Sequence, residues 1–454
     1  MTMRRSLLRL RRSLARSFAI ILVWTWVGGC AVIFREQESA RFVGVTKDIS
    51  FAILEDYDKG DDLREIEKDF QLMNELGIDV LRCSFGWDDY EPVPGQYDFV
   101  WLKDFVRLAA TYKLKLRPYI GYTPRWAGTA GSDDVDWNNP PANYHAWYQF
   151  VFNLASALRE FPNVLSYEIY NEQNDRSWWD GSIEEYMETL RLGALAARAA
   201  DPDVQIILGG LIFPDHSWLR RVVEASHARY YDIIAFHAYP ETWSAGDVFV
   251  ENYLNAGYRA FAENNRTLGE AEPIWINEMG FATVPGKSEA EQANWWARAV
   301  STFLADPHIE HIGVYEIKDL PLGKDVIGDD KNYHLGITRA DRSKKLAFYT
   351  VAMLHRLLSG QITTANNEVS LTVRAGRPGD LHAHLFKRPD GKQVLFLYDK
   401  RAAVTVEARL RTEGTAAFQY DLDGTSKPHV GFDRTVLSGV RLTPGQVAIF
   451  RIDP

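Results

Sequence analysis

Cysteine is scarce in this chain of 454 residues, where Cys30 and Cys83 are the only two. Two cysteines cannot build a disulfide framework or a cysteine-based metal centre, so both kinds of structure are excluded. No glycine-rich phosphate loop follows the first predicted strand, which argues against a dinucleotide-binding sheet. Internal repeats and low-complexity linkers are also absent, so the domains of the chain are expected to be in firm contact.

Positive charge is outnumbered by negative charge outside the N-terminus. The chain has a net charge of −10, but its first 30 residues hold six arginines and no acid, so the remaining residues carry −16. Nucleic acid and other anionic polymers would be repelled and are not expected as partners. Aromatic residues are abundant at 13%. Flat rings stack on sugar faces and also fill cores, and the composition leaves both roles open.

The first 34 residues are predicted to be a targeting segment. Arginines between positions 4 and 16 precede the apolar run FAIILVWTWVGGCAVIF at residues 18–34. This order is typical of an export signal, or of an N-terminal anchor with its basic end in the cytoplasm. A lipoprotein signal with Cys30 as the lipidated residue, an uncleaved anchor and a plain secretion signal all remain open. A buried hydrophobic segment is the further alternative, against which the arginines argue. We expect an exported, periplasmic protein tethered to the membrane.

From about residue 42, short β-rich runs alternate with amphipathic segments. The predicted strands cover residues 42–46, 80–86, 114–121, 165–172, 204–212, 232–239, 273–277 and 312–317. Helical spacing of apolar residues covers 62–76, 99–113, 144–160, 183–200, 217–230, 248–264, 288–305 and 344–358. Eight such units predict an α/β fold, a closed (β/α)₈ TIM barrel over residues 35–361. An open doubly wound sheet is the alternative.

The pattern changes after Gly360. Short alternating runs at 369–373, 382–387, 394–398, 404–410 and 447–452 are separated by turn signals such as Arg388-Pro-Asp-Gly and Thr443-Pro-Gly. This spacing predicts a C-terminal antiparallel β-sandwich over residues 362–454, packed on the barrel, with residues 35–41 as a candidate extra strand.

Two of the predicted barrel strands end in the same dipeptide. LSYEIYNEQN at residues 165–174 contains Asn171-Glu172, and PIWINEMGF at residues 273–281 contains Asn277-Glu278. Cleavage of a glycosidic bond needs one carboxyl to protonate the leaving oxygen and one carboxylate to meet the anomeric centre. Either glutamate alone could be an ordinary strand-end charge. Two of them at matching strand ends favour catalysis, because chemistry in a barrel sits at this face.

The other predicted strand ends supply candidate substrate contacts. These are Arg82, Trp87, Tyr122, Trp126, Asn171, Trp178, Trp179, His237, Tyr239, Trp243, Tyr315 and Glu316. For the five tryptophans, sugar stacking and core packing are both open. His237 is the single histidine among these strand ends, which argues against a zinc site, and no metal or cofactor is expected.

The strand-end motifs resemble those of a known group. NEQN and NEMG are similar to the acid/base and nucleophile motifs of the retaining (β/α)₈ glycoside hydrolases of clan A. The segments LRCSFGWDDYEPVPGQYDF, YTPRWA, HAYP, YEIKD and HLFKRPDGKQVLFLYD resemble glycoside hydrolase family 39 over residues 42–400. The chain resembles in particular the bacterial members of this family that are associated with exopolysaccharide operons, of the Psl endoglycosidase type. Residues 45–47, VTK, depart from the family's Gly-Val-Asn-x-His type segment.

The resemblance assigns roles to the two motifs. It implies that Glu172 is the general acid/base and Glu278 the nucleophile, and that Asn171 hydrogen-bonds the sugar 2-hydroxyl. Arg82 would lower the pKa of Glu278 and hold it ionised, while burial or the negative Glu278 would raise that of Glu172. The alternative for Arg82 is a structural ion pair with Glu168.

Two further residues have open roles. Tyr239 is expected to hydrogen-bond Glu278, or else to be an aromatic residue on the rim. Glu316 is expected to bind a substrate hydroxyl, or else to pair with Lys318 or another strand-end base.

The sequence therefore predicts a monomeric, retaining β-glycoside hydrolase that acts on a bacterial polysaccharide, with endo action favoured, beside the machinery of polysaccharide synthesis and export. An exo-acting glycosidase similar to β-xylosidases or iduronidases is one alternative. A non-catalytic polysaccharide-binding component of an export machine is the other. The intact glutamate pair argues against the binder, which has no need of both.

Overall fold

The computed structural model describes residues 44–131, 135–225, 230–243, 248–267, 273–323 and 329–454. The predicted targeting segment 1–34, with Cys30, and the candidate strand 35–41 lie outside these residues. Within the described ranges, no helix combines the length and the apolarity that crossing a membrane requires.

Eight parallel strands form a closed barrel. In chain order they are Thr46–Leu54, Val80–Arg82 continued as Ser84–Gly86, Lys115–Leu116 continued as Tyr119–Gly121, Ser166–Ile169, Gln205–Leu211, Ile233–Ala238, Ile274–Met279 and Ile309–Tyr315, called here barrel strands 1 to 8. Strand 1 pairs with strand 2 at Leu54 and Arg82 and with strand 8 at Leu54 and Tyr315, which closes the sheet. Side chains fill the inside and helices cover the outside, so the strands are buried on both faces.

Helices connect the strands and follow them along the chain. They are Leu63–Leu76, Trp87–Tyr90, Val100–Thr111, Tyr144–Leu158, Ile183–Ala200, His216–Ala225, Val250–Tyr253, Ala256–Thr267, Glu289–Leu304 and Leu346–Leu358, with short 3₁₀ helices at Asp330–His334 and Asn366–Glu368. Ser182 with Glu185, and Ser288 with Glu291, form capping boxes that satisfy the first backbone N–H groups of two of them. Gly77 ends the first helix in a left-handed conformation, φ 79°.

Strand 1 differs from its prediction at residues 42–46, and it runs from Thr46 to Leu54. Its first half, Thr46–Ile49, pairs with the C-terminal β domain, and the half from Ser50 onward pairs inside the barrel. The first half alternates exposed and buried residues, and the second half is buried almost throughout. The two halves therefore do not share the pattern that marks a single strand. The divergent residues 45–47 therefore lie at the amino end of strand 1, away from the face where the carboxyl ends meet. Glu55 and Asp56 follow the carboxyl end of this strand.

Two antiparallel sheets follow the barrel. One contains Gly360–Thr364, Leu381–Lys387, Gln393–Asp399, Val447–Asp453, Ala416–Tyr420 and Ser426–Pro428, and the other Val369–Gly376, Val404–Leu410, Val436–Leu442 and Phe432–Asp433. Buried apolar side chains from both sheets, including Leu395, Val406 and Phe450, form a common core. This is the predicted sandwich.

The sequence did not predict the strand Val436–Leu442. A register shift in its pairing with Val404–Leu410 breaks the alternation of buried and exposed residues that marks a strand in a sequence. Gly360–Thr364 was also missed, and its antiparallel pairing with Thr46–Ile49 makes barrel strand 1 part of the first sandwich sheet.

Candidate active site

The carboxyl ends of the barrel strands bring four ionisable side chains into direct contact. Strand 2 supplies Arg82, strand 6 supplies His237, strand 7 supplies Glu278, and Glu172 lies three residues past strand 4. All four were candidates in the sequence, and parallel strands deliver such ends to one face of a barrel.

His237 lies between the two glutamates. Its Nδ1 is 2.6 Å from Glu172 Oε1, and its Nε2 is 3.5 Å from Glu278 Oε2. The ring is completely buried, and one ligating atom from each of the three residues lies within 4.8 Å of the other two. The two carboxyl groups therefore face each other across one imidazole.

The backbone that carries Glu172 is unusual. Glu172 has φ 48°, in the left-handed region that few side chains adopt, and its N–H donates to the carbonyl oxygen of Gly210 at 2.8 Å. Gly210 must be a glycine here, since a Cβ at that position would lie 2.4 Å from His237 Nε2. The sequence thus leaves room for the ring that touches both glutamates.

Arg82 forms both interactions that the sequence left as alternatives. Its Nε and Nη2 donate to the two carboxylate oxygens of Glu168 at 2.8 and 2.9 Å, and its Nη1 donates to Glu278 Oε2 at 3.0 Å. Nη2 also donates to Asn171 Oδ1 at 2.7 Å. The guanidinium is buried, so these acceptors compensate a charge that has been taken out of water.

Glu168 is the structural partner in this network. Besides Arg82 it accepts from Asn277 Nδ2 at 3.0 Å and from the Gly210 N–H at 2.7 Å. The two asparagines of the matching dipeptides therefore differ, because Asn277 supports Glu168 and Asn171 lies against Arg82.

Burial is the main influence on the pKa values in the site. It raises the pKa of Glu172 to about 8, with a further rise from Asp175 and an opposing effect of Arg82. Burial lowers the pKa of His237 to about 4, so the imidazole is neutral at neutral pH.

Burial also raises the pKa of Glu278, whereas we expected Arg82 to lower it. His237, Arg82 and the donating hydroxyl of Tyr239 do lower this pKa, but burial outweighs them. The hydroxyl of Tyr239 donates to Glu278 Oε1, and with Arg82 on Oε2 both carboxylate oxygens accept hydrogen bonds. This environment favours the charged form of Glu278 more than that of Glu172.

Two groups of partly exposed aromatic rings contain five of the other strand-end candidates. Beyond strands 3 and 4, Tyr122 lies against Trp137, with ring centres 5.4 Å apart, and Trp178 lies 5.6 Å from Trp137. Trp137 was not predicted, because it lies sixteen residues past strand 3 with no local motif to mark it. A 390 Å³ cavity lies beside this ring, lined also by Asp88, Thr123 and Arg125.

The second group follows strands 6 and 8. The Tyr239 ring lies 4.7 Å from Trp243 and 6.2 Å from Tyr315, in each case edge to face. Trp243 Nε1 donates to Asp329 Oδ1 at 3.0 Å. Rings of both groups are partly exposed and available for contact with a ligand.

Two tryptophans belong to the core, so the sugar-stacking interpretation does not hold for them. Trp87 is fully buried against Trp147 and Phe150. Trp179 is buried, with its ring 4.7 Å from that of Tyr170. In both, the ring packs against other aromatic side chains of the core.

Trp126 is half-buried, and its ring lies 5.7 Å from that of Trp87. Its indole N–H donates to the carbonyl oxygen of Glu91 at 2.9 Å, which ties it to the loop after strand 2.

Glu316 is buried at the end of strand 8, and burial together with Glu55 raises its pKa well above the usual range. Lys318, its possible partner from the sequence, instead pairs with Glu55 and with Asp69, at 2.9 Å from the latter. A protonated Glu316 is a hydrogen-bond donor as well as an acceptor.

Asp56 was missed because strand 1 was misplaced. It accepts from the Tyr119 hydroxyl at 2.8 and 2.9 Å and from the Ser84 N–H at 3.1 Å. The Tyr119 ring in turn lies 4.5 Å from the Arg82 guanidinium, so Asp56 supports the floor of the site through one aromatic ring.

Glu172, His237 and Glu278 also have the spacing of metal ligands. The Arg82 guanidinium 3.0 Å from Glu278 would repel a divalent cation, and the 2.6 Å contact between His237 and Glu172 already uses both facing atoms. The arrangement is better suited to proton transfer than to holding a metal.

Comparison with known proteins gives partial sequence matches and full-length structural ones. Residues 57–135 match the family described as beta-galactosidase. The β-galactosidase BgaA of Clostridium cellulovorans is 30% identical over 124 residues, which are 27% of this chain and 16% of the relative. The chain thus spans only a small part of the length of this curated relative.

Solved structures match along nearly the whole chain. A family 39 glycoside hydrolase of Bacteroides cellulosilyticus has a TM-score of 0.66 at 19% identity, covering 90% of this chain and 81% of its own. A monomeric β-xylosidase of Caulobacter crescentus has a TM-score of 0.64 at 15% identity, covering 91% and 98%. These likenesses confirm the predicted fold, a (β/α)₈ barrel followed by a β-sandwich of the family 39 kind.

Proposed function

We propose that this protein is a retaining glycoside hydrolase that cleaves β-glycosidic bonds of a polysaccharide. The observation that carries the proposal is the approach of Glu172 and Glu278, which have ligating oxygens within 4.8 Å of each other. Carboxyl groups lie about 5–5.5 Å apart in retaining glycosidases and about 6.5–9.5 Å apart in inverting ones, where a water must fit between sugar and base. The shorter distance favours direct attack by a carboxylate.

Two displacements complete the reaction. In the first, a Glu278 oxygen attacks the anomeric carbon while the Glu172 carboxylic acid gives its proton to the glycosidic oxygen, whose bond to the sugar breaks. In the second, Glu172, now a carboxylate, takes a proton from water, and the water oxygen displaces Glu278 from the anomeric carbon. Glu172 is then protonated again, and two inversions leave the configuration of the sugar unchanged.

The environments of the two glutamates support these roles. A pKa of about 8 keeps Glu172 protonated at neutral pH, as a general acid requires. Glu278 accepts from Arg82 and Tyr239, which stabilise the negative charge of a nucleophile. Neutral His237, 2.6 Å from Glu172, orients the acid without adding a charge.

For the substrate we propose a bacterial exopolysaccharide, cleaved internally beside the machinery that makes and exports it. The motifs similar to the exopolysaccharide-associated members of family 39 support this choice. The two groups of aromatic rings, around Tyr122 and around Tyr239, support contact with more than one sugar. The β-xylosidase and β-galactosidase names of the similar proteins favour the second candidate, an exo-acting glycosidase for a β-xyloside or β-galactoside.

The stereochemistry of the product tests the mechanism. We expect the purified full-length protein to hydrolyse an aryl β-glycoside from a panel of xylosides, galactosides and glucosides, and to release the β-anomer first. Proton NMR recorded within the first minutes, before mutarotation, distinguishes the two anomers. Release of the α-anomer would overturn the retaining mechanism. If the protein hydrolysed none of the aryl glycosides and no polysaccharide, the proposal that it is a glycoside hydrolase would be wrong.

We also propose that the protein is exported and tethered to the membrane by its N-terminal segment, where arginines precede the apolar residues 18–34. The expressed protein is expected in the membrane fraction, with residues 44–454 open to protease added to the periplasm. If Cys30 is lipidated, Cys30→Ala should release or mislocalise it, whereas unchanged membrane retention would identify an uncleaved anchor. If the wild-type protein were found in the cytoplasmic fraction, both the proposed export and the proposed membrane tether would be wrong.

A further inference from the structure

We infer that Lys400, in the C-terminal β domain, is a positioning residue for the active site, because through Glu241 it holds the loop that carries Tyr239 and Trp243. This inference rests on the proposed glycoside hydrolase function and assigns the β domain a part in it.

The loop in question follows barrel strand 6. Glu241 lies two residues after Tyr239, whose hydroxyl donates to Glu278, and two residues before Trp243. Its φ of 68° is in the left-handed region, which a glutamate adopts only where its surroundings hold it there. A change in the position of Glu241 is therefore transmitted over a very short stretch of chain to both aromatic side chains.

Glu241 is one of four charged side chains that pair with one another. Lys400 Nζ lies 2.9 Å from Glu241 Oε1 and 3.1 Å from Glu251 Oε2, and Arg298 lies 2.7 Å from Glu241 Oε2 and 3.0 Å from Glu251 Oε1. Two cations and two anions thus form a closed, neutral ring. Their side chains keep 5–17% of their exposure, so the ring is largely shielded from solvent and from salt.

Lys400 is the only one of the four that comes from the sandwich. It directly follows the strand Gln393–Asp399, and its Nζ also lies 3.3 Å from the centre of the Phe249 ring. Glu251 and Arg298 lie on the barrel helices Val250–Tyr253 and Glu289–Leu304. Removing the ammonium would leave two buried carboxylates to share one guanidinium, and mutual repulsion would then displace Glu241 from its present position.

Displacement of the loop has a consequence that can be measured at Glu278. This carboxylate is faced by Arg82 from strand 2, Glu172 after strand 4, His237 and Tyr239 on the strand 6 side and Tyr315 from strand 8. Of these, Tyr239 is the group that the Glu241 loop carries. The hydrogen bond from Tyr239 lowers the pKa of Glu278, so its loss would raise this pKa. Glu278 would then become protonated, and inactive as a nucleophile, at a higher pH than in wild type.

The test compares Lys400→Met with wild type on an aryl β-glycoside that wild type hydrolyses. We expect kcat/KM at the optimum to fall about 10–100-fold, as a misplaced catalytic contact does, and the acid limb of its pH profile to move to higher pH. A merely structural role would reduce the folded fraction equally at every pH and leave the shape of the profile unchanged. Lys400→Arg should restore both values.

Two further variants sharpen the comparison. Tyr239→Phe should move the acid limb in the same direction, and Lys400→Met in the Tyr239→Phe background should move it no further, because both changes act through one hydrogen bond. Lys387→Met is the matched control, since Lys387 pairs with Glu368 inside the β domain. It should keep the wild-type profile.

A readout without turnover separates this inference from the proposed function. The pKa of Glu278 can be followed by NMR of ¹³C-labelled glutamate, with its signal assigned by its loss in Glu278→Gln. A higher pKa of Glu278 in Lys400→Met supports the positioning role even if no substrate is hydrolysed. Absence of hydrolysis would overturn the proposed hydrolase function and leave the positioning role standing. An unchanged pKa and an unchanged pH profile would overturn the inference. If Lys400→Met does not fold, Lys400→Gln, which keeps a polar N–H group but removes the positive charge, is judged by the same criteria.

Discussion

A Glu172→Gln variant is expected to lose activity on a natural polysaccharide by a factor of about 10²–10⁴, the usual contribution of a general acid/base. The glutamine cannot protonate the departing sugar oxygen. An aryl glycoside with a good leaving group hardly needs that proton, so its first step should survive. The glycosyl-enzyme should then accumulate, because no base activates the water that would release it.

Azide provides the decisive measurement on this variant. As an anionic nucleophile that needs no base, it should restore turnover of the aryl glycoside and give a β-glycosyl azide of retained configuration. Product analysis by NMR and the rate with and without azide are the readouts. Lys103→Met, which removes a surface partner of Glu160, serves as the control and should respond to azide as wild type does.

Glu278→Gln should behave differently on the same substrates. Without a carboxylate at this position no covalent intermediate forms, so even an aryl glycoside should remain intact, with or without azide. Rescue of Glu278→Gln but not of Glu172→Gln would reverse the assigned roles. Rescue of neither, on a substrate that wild type hydrolyses, would remove both assignments.

The central pair could be predicted from the sequence because its signal is local. Each glutamate follows a short apolar run and an asparagine, and parallel strands deliver their carboxyl ends to one face. The contact of His237 with both glutamates could not be read in the same way. It depends on Gly210, which lies on another strand and leaves the space that the ring occupies.

The tryptophans show where local pattern fails. Trp87 and Trp178 both follow a strand end, yet the first is fully buried and the second is partly exposed beside Tyr122. The difference lies in distant partners, since Trp87 packs on Phe150 from a helix some sixty residues later. Nothing in the residues around Trp87 records that contact.

Strand 1 failed for a related reason. It serves two sheets, and only its second half has the continuous apolar run of a barrel strand. Its first half alternates exposed and buried positions, but one of the buried positions is Lys47, so Thr46-Lys47-Asp48 shows no apolar alternation in the sequence. Asp56, and with it the support of Tyr119, was lost with that boundary. The sign of the net shift at Glu278 was also out of reach, because it depends on how deeply the whole barrel buries the group.

Replacement of Arg82 by methionine is expected to be the most destabilising single change in the site. Arg82 is the cation shared by Glu168, whose side chain is completely buried, and by Glu278. Methionine fills much of the same volume but leaves the Glu168 carboxylate buried beside Glu278 with the compensating charge removed. Breaking one side of a buried ion pair in this way costs about 3–5 kcal/mol.

Urea unfolding of the full chain measures this cost. The Lys103→Met control breaks an ion pair with Glu160 that lies at the surface, and it should change the free energy of unfolding by no more than about 1 kcal/mol. Adding Glu168→Gln to Arg82→Met removes the stranded charge and should recover part of the loss, as coupled neighbours do. It should not recover activity, because Glu278 still lacks the cation that helps to keep it ionised. If Arg82→Met were as stable as the Lys103→Met control, Arg82 would not be the group that compensates the buried charge of Glu168, and the prediction would be wrong.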